Sequence, residues 1–176
     1  MNKIFYTNFD SKTGKIFIAS SDRGLARISL AEGGEGEEDF FARIKKYYPS
    51  YEIVENYEQN DMVVKQLLAY FDKKLKNFTL ELDMKGTDFQ LSVWKSLREI
   101  PYGEIRTYKD IAEQIKKPKA SRAVGGANRA NPFPIVVPCH RVIGTDGKLT
   151  GYAGKIGLPL KEKLLRLEGY SGKLNR

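Results

Sequence analysis

Two stretches decide how this chain folds: Ser121-Arg122-Ala123-Val124-Gly125-Gly126-Ala127-Asn128-Arg129 and, a short link later, Pro134-Ile135-Val136-Val137-Pro138-Cys139-His140-Arg141. The first reads as a short helix with two faces. Ala120, Ala123, Val124 and Ala127 form an inward stripe, and Ser121, Arg122, Gly125 and Arg129 lie on the other side. A glycine inside a helix costs about 1 kcal/mol relative to alanine, and Gly125 and Gly126 stand together. Either the helix packs backbone to backbone against another element, or a bulky partner approaches its outer face closely. The second stretch reads as a buried apolar strand that delivers the one cysteine and the one histidine of the chain, side by side. A thiolate is the reactive form of cysteine, and His140 or Arg141 could supply the base or positive charge that favours it. The competing reading is an inert, small, buried residue at the end of a strand.

Working outward, Thr87-Asp88-Phe89-Gln90 is a capping box that starts a helix with Phe89, Val93, Leu97 and Ile100 on one face and Trp94 beside them. Pro101-Tyr102-Gly103 ends it in a turn. Thr107 caps a second helix running to about Lys117, with Tyr108, Ile111, Ala112 and Ile115 as its stripe. Lys117-Pro118 stops that helix before the Gly-Gly helix begins. Two short helices joined by a tight turn, the second one basic, make a helix-turn-helix pattern. Beyond Arg141, Gly144 to Gly147 reads as a turn and 150–154 as a glycine-rich loop near the cysteine. A last helix begins near Pro159, carries Leu160, Leu164, Leu165 and Leu167, and ends at Glu168-Gly169. The tail 171–176 is expected to fray.

The first half reads as three short strands, around Ile4-Phe5-Tyr6, 15–19 and 25–30, forming a small antiparallel sheet. Gly33 to Gly36 breaks the pattern. A helix follows from Glu38 to Tyr48, and an amphipathic one from about Asp61 to Lys74 with Val64, Leu67, Leu68, Phe71 and Leu75 on one stripe. The predicted fold is α+β in two domains. Residues 1–86 form a scaffold of small antiparallel sheet and helices; residues 87–176 form a mainly helical domain holding the helix-turn-helix and the cysteine.

Thirty Lys and Arg against 22 Asp and Glu give a net charge of +8, and the basic residues concentrate between Arg98 and Arg141. That tilts the expected partner toward a polyanion, nucleic acid first, bound by the second half. One cysteine excludes an intramolecular disulfide and points to a reducing compartment. No stretch approaches the roughly 20 apolar residues of a membrane span, so no membrane partner is expected. One Cys and one His cannot furnish a usual zinc site, and neither metal nor cofactor is expected.

In an extended segment adjacent side chains point to opposite faces, so Cys139 and His140 cannot pair directly there. If His140 activates the thiol, the backbone turns or a water links them, and a carboxylate from elsewhere orients the imidazole. Glu168 is a candidate.

At this point the motifs combine. Phe89-Gln90-Leu91-Ser92-Val93-Trp94, Pro101-Tyr102-Gly103-Glu104, Thr107-Tyr108, the 121–128 helix, Asn131-Pro132 and Ile135 to Ile143 stand in the order and spacing of the O6-alkylguanine-DNA alkyltransferases, which the chain resembles from Thr87 to Gly169. The resemblance implies irreversible, stoichiometric transfer of an alkyl group from guanine O6, and from thymine O4, to Cys139. It implies that His140 takes the thiol proton through a water while Glu168 holds His140. Tyr108 would donate to N3 of the extruded guanine. Arg122 would fill the gap left in the duplex, with Ser121, Ala123, Gly125, Gly126 and Arg129 against the minor groove. Asn131 would tie the helix-turn-helix to the cysteine segment, Tyr152 and Ala153 would cover the alkylated base, Cys139 and Val142 backbone groups would read its edge, and Lys161 sits where the family often keeps a basic residue.

The implied partner is double-stranded DNA containing O6-alkylguanine, bound by a monomer, with cooperativity left open. The implied location is the cytoplasm, or the nucleus in a eukaryote. Some relatives carry a structural zinc in the first domain, for which this chain lacks ligands. Ala153 replaces a serine of several members, and Asn128 a larger apolar residue. A non-catalytic sensor of alkylated DNA and a cysteine hydrolase are the alternatives. The presence of Cys139 opposes the first, and single turnover would oppose the second.

Overall fold

Alternating apolar residues make three strands of the N-terminal segment, β1 (Lys3–Ser11), β2 (Gly14–Ser21) and β3 (Gly24–Leu30), in a computed structural model that describes residues 2–150 and 157–175. β1 pairs antiparallel with β2, and β2 with β3. Period-two alternation puts Phe17 and Ala19 on one face of β2 and Ile16 and Ile18 on the other, and all four are buried. The first face packs with Ile4 and Ala26 against Phe40, Ile44 and Tyr48 from helix α1 (Glu37–Tyr47) and its end.

A fourth strand, β4 (Glu52–Glu55), lies parallel to β1, so the sheet order is β3-β2-β1-β4. The sequence pattern of an all-antiparallel sheet missed it. Glu-Ile-Val-Glu is short and flanked by charge, and its parallel pairing needs the α1 crossover, a non-local condition. Gly24 stands at φ +127°, where a Cβ would lie 2.5 Å from the Glu81 carbonyl. Its lack of a side chain lets the Leu25 N–H reach that same oxygen at 2.9 Å.

Helix α2 (Asp61–Phe71) ends earlier than the expected Lys74, because Lys73 adopts a left-handed φ of 60°. Val63, Val64, Leu67, Tyr70 and Phe71 are its buried residues, whereas Leu68 is exposed. The stripe read from sequence was therefore rotated by about one position, and Val63 and Tyr70 were the missed core residues.

The chain divides into two units, Met1–Lys85 and Gly86–Arg176. In the second, the Thr87 hydroxyl accepts from Gln90 N–H at 3.2 Å and Gln90 Oε1 accepts from Thr87 N–H at 3.0 Å, so α3 (Asp88–Arg98) starts as expected. Val93, Trp94, Leu97 and Ile100 are buried, and Trp94 Nε1 donates to the Ala127 carbonyl at 2.9 Å. Thr107 ends β5 (Arg106–Thr107) and caps α4 (Tyr108–Gln114), which stops short of Lys117 because Lys116 turns to φ 60°. α5 (Ser121–Arg129) packs on both α3 and α4, and α6 (Leu158–Leu167) closes the unit with Leu160, Leu164 and Leu165 buried. Among the described residues no helix is long and apolar enough to cross a membrane.

The rotation of α2 is measurable. Leu67→Ala removes a fully buried side chain and lowers stability by about 2–5 kcal/mol, whereas Leu68→Ala shifts it by no more than about 0.5 kcal/mol, read by denaturant unfolding. Equal losses at the two positions would contradict the packing described.

Candidate active site

The Pro134 to Val137 run is not a strand. Pro132, Pro134 and Pro138 have no N–H to give a ladder, and Ile135 sits at φ 75°. The segment folds into turns instead, with Val137 N–H on the Phe133 carbonyl and Cys139 N–H on the Val137 carbonyl, each at 2.8 Å. Cys139–Arg141 then forms one turn of 3₁₀ helix, and only Val142–Ile143 is extended, as β6 beside β5. At Cys139 and His140 the backbone turns. With three residues per turn their side chains diverge by about a third of a revolution.

The two side chains thus enter different surroundings. His140 is fully buried, and its Nε2 lies 2.6 Å from Glu168 Oε1. Arg141 donates from Nε to Glu168 Oε2 at 2.8 Å and from Nη2 to Oε1 at 3.0 Å, while its Nη1 donates to the Ile100 carbonyl at 2.6 Å. Gly103 N–H adds a bond to Glu168 Oε2 at 3.0 Å. Gly103 has φ +79°, and a Cβ there would lie 2.9 Å from the Glu168 carbonyl oxygen. Burial alone would raise the Glu168 carboxyl, but its bonds to His140 and Arg141 outweigh that and hold it well below the usual carboxylate range. Glu168 is therefore ionised and an acceptor, which puts the imidazole proton on Nε2 and leaves Nδ1 as the lone-pair nitrogen. Nδ1 has no hydrogen-bond partner among the described residues. Burial pushes the His140 pKa down against the pull of Glu168, so the ring is neutral near pH 7.

Cys139 is buried, and desolvation pushes its thiol up. The Asn131 side chain, the Lys161 ammonium and the backbone N–H groups of Cys139 and His140 oppose that without reversing it. The resting group is the thiol. Asn131 Nδ2 donates to the Val137 carbonyl at 2.8 Å and its Oδ1 accepts from Phe133 N–H at 2.9 Å, so one side chain joins the end of α5 to the turns before the cysteine. Asn128 Nδ2 donates to the Cys139 carbonyl at 3.2 Å.

A second cluster centres on Lys161, which is fully buried on the leucine face of α6. Its Nζ donates to the carbonyls of Val142 at 2.5 Å and Thr150 at 2.8 Å and to the Tyr108 hydroxyl at 3.4 Å. Tyr108 OH donates to the same Thr150 carbonyl at 2.5 Å. Burial lowers the Lys161 pKa to about 8, with Cys139 opposing the shift.

On α5, Ala123 is exposed rather than inward, and Asn128 takes the buried place beside Val124 and Ala127. A polar residue escapes an apolar-stripe reading even when it faces inward. A Cβ on Gly126 would meet nothing within 4 Å, and one on Gly125 would only touch the Tyr108 ring at 3.9 Å, so close helix packing does not explain the glycine pair. Tyr108, Ser121, Arg122, Gly125, Arg129 and Thr150 line one open groove. Tyr152 and Ala153 lie outside the described residues. Three contributors escaped the sequence reading as site residues. Arg141 was read as a charge for the thiol rather than as the partner of Glu168, Gly103 only as a turn former, and Asn128 only as a change of residue type.

A buried thiol, a neutral histidine held by an ionised carboxylate, and a glycine-bearing basic helix beside them define a helix-turn-helix domain built around one nucleophile. Residues 88–170 match the 6-O-methylguanine DNA methyltransferase DNA binding domain, and residues 4–84 match the ribonuclease-like domain of the same proteins. The chain belongs to the 6-O-methylguanine DNA methyltransferase family. It is 49% identical over 166 residues to the methylated-DNA–protein-cysteine methyltransferase of Methanosarcina acetivorans, covering 94% of this chain and 99% of that protein. It is 43% identical over 157 residues to the inducible one of Bacillus subtilis, covering 89% and 86%. Among solved structures, the Mycobacterium tuberculosis O6-methylguanine methyltransferase superposes with a TM-score of 0.81 at 41% identity, over 98% of this chain and 96% of that one. The M. tuberculosis OGT in complex with DNA superposes at 0.78 and 42% identity, over 93% and 92%.

The buried lysine sets a pH dependence. Native Lys161 loses its proton near pH 8 and the unfolded chain near 10.5, so between these values the unfolded state binds more protons and this group makes stability rise with pH, by up to about 1.4 kcal/mol per unit. Lys161→Met removes the contribution. Chemical denaturation at pH 8 and pH 10 should show the native chain gaining stability relative to the variant; no relative gain would contradict the burial of this ammonium.

Proposed function

We propose that this protein repairs DNA by moving an alkyl group from guanine O6 in duplex DNA to Cys139, once per molecule. The observation that carries this reading is the Cys139–His140–Glu168 arrangement beside an open basic helix in a member of this family. The unit from Gly86 onward binds DNA and accepts the alkyl group, and the sheet unit before it is scaffold.

The chemistry follows from the charges. Ionised Glu168 fixes the Nε2–H tautomer, so the His140 Nδ1 lone pair is the base for the Cys139 proton, relayed by a water because the 3₁₀ turn separates the two side chains. The sulfur attacks the alkyl carbon, an S–C bond forms, and the C–O6 bond breaks with its electron pair passing to the base. Tyr108, rotating its O–H from the Thr150 carbonyl to guanine N3, stabilises the charge developing there. The product is a thioether, a poor substrate for hydrolysis, so the protein is consumed. A neutral resting thiol also protects a single-use group from other electrophiles.

The target lies inside the duplex and must be extruded. Arg122 fills the vacated space, while Ser121, Ala123, Gly125 and Gly126 present a side-chain-poor surface to the minor groove and Arg129 contacts phosphate. The empty space beside Gly126 supports this, since room for a Cβ is used only by something that approaches from outside. Asn131 and Lys161 hold the cysteine segment and the Val142 backbone in place for reading the base edge. The protein acts as a monomer in the cytoplasm, or in the nucleus of a eukaryotic cell. Thymine O4 is a second substrate position.

Mass spectrometry after incubation with excess O6-methylguanine duplex should find one methyl group on the peptide containing Cys139, at no more than one per chain, and none on Cys139→Ala. An unmodified peptide would sink the reading, and repeated release of product would favour a hydrolase. Affinity for unmodified duplex should fall steeply with salt. Arg129→Ala should reduce the slope of log K against log salt by about 1, the loss of one phosphate contact. A slope unchanged in the variant would remove Arg129 from the interface.

A further inference from the structure

The tail expected to fray is instead ordered against the site. Tyr170 N–H bonds to the Leu165 carbonyl at 3.0 Å, and Arg166 Nη1 donates to the carbonyls of Tyr170 at 2.8 Å and Gly172 at 3.0 Å, which holds the chain against α6 as it leaves. Leu174 then packs with Ile143, Leu149 and Leu165. Asn175 makes three bonds to one turn. Its N–H donates to the Gly147 carbonyl at 3.0 Å, its carbonyl accepts from Leu149 N–H at 2.8 Å, and its Nδ2 donates to the Asp146 carbonyl at 2.8 Å. The turn is otherwise a small loop closed by Gly147 N–H on the Gly144 carbonyl and Gly144 N–H on the Lys148 carbonyl.

The residue after Leu149 is Thr150, whose carbonyl is the shared acceptor of the Tyr108 hydroxyl and Lys161 Nζ. Hydrogen bonds and the 146–150 backbone thus connect Asn175 to the Tyr108 phenol. From these contacts we infer that residues 170–175 are a strap that positions Tyr108 for alkyl transfer, by fixing the 146–149 turn and through it the Thr150 carbonyl. This rests on the reading of Tyr108 as the donor to the leaving base. Asn175 and Leu174 are positioning residues, since neither touches the reacting atoms.

The strap matters because a phenol can exchange acceptors by rotating its O–H, provided the ring is already in place. Two partners set the oxygen of Tyr108, and both meet at Thr150. Hydrogen bonds that are present before the substrate arrives remove the ordering cost from the reaction step. Releasing the strap lets the Thr150 carbonyl move and returns that cost.

A double-mutant cycle tests this on the otherwise full chain: removal of 173–176, alone and with Tyr108→Phe, measured as the second-order rate constant for methyl transfer from O6-methylguanine duplex. Removal should slow transfer about tenfold with Tyr108 present and less than about twofold with Phe, the scale of one lost positioning bond. Affinity for unmodified duplex and alkylation of Cys139 by iodoacetamide should stay within about twofold, which a general loosening of the domain would not allow. An unchanged or faster rate, or an equal loss in both backgrounds, overturns the proposal. If the shortened chain does not fold, Asn175→Ala decides by the same cycle. A loss of about threefold that needs Tyr108 supports the strap, and no such loss overturns it. A full chain that transfers no methyl group refutes the repair reading itself, a result separate from failure of the cycle.

Discussion

The Glu168 carboxylate is the constraint on which the second unit depends. It is withdrawn from water at the end of α6 and is satisfied by His140, by two nitrogens of Arg141 and by the Gly103 backbone. Those donors come from two separate segments, and the carboxylate from a third. A buried carboxylate without partners would cost several kcal/mol, so the last helix, the 3₁₀ turn and the Pro101-Tyr102-Gly103 turn are stable only together. The same geometry fixes the chemistry. An ionised carboxylate demands a proton on Nε2, burial keeps the ring neutral, and Nδ1 is what remains to accept a proton.

Lys161 shows the same logic with opposite sign. An ammonium among leucines is unfavourable unless its donors are used, and the Val142 and Thr150 carbonyls and the Tyr108 hydroxyl use them. The three acceptors lie on separate segments, β6, the residue after the 146–149 turn and the start of α4. The cost of burying the charge, visible as a pKa lowered to about 8, is offset by ordering three parts of the site at one atom. The two buried ions thus divide the work. Glu168 orients the His140 ring, and Lys161 joins Val142, Thr150 and Tyr108 at one atom.

Much of this was legible in the chain. Capping boxes at Thr87 and Thr107, the stripe through Val93 and Leu97, and the three alternating strands are local signals, and local signals survive folding because the backbone bonds they specify are made within a few residues. The failures share a cause. β4 needed a partner strand from the other side of α1. The Pro-rich run before Cys139 looked apolar enough for a strand, but donors matter as much as hydrophobicity and its prolines have none. The tail has no periodicity at all, and it is ordered by bonds to Arg166 and to the 146–149 turn and by the packing of Leu174.

By itself, then, the sequence determined the two-part α+β plan, the helix-turn-helix and the pairing of a lone nucleophile with a lone imidazole. Those depend on residue type and spacing within short windows. Only the tertiary structure decided that Cys139 and His140 diverge on a 3₁₀ turn, that Arg141 and Gly103 complete the Glu168 site, that Asn128 faces inward, and that Leu174 and Asn175 meet the 146–149 turn. Each of these joins groups far apart in the chain, so no local pattern encodes it. What selects it is the requirement that every buried charge and backbone group find a partner.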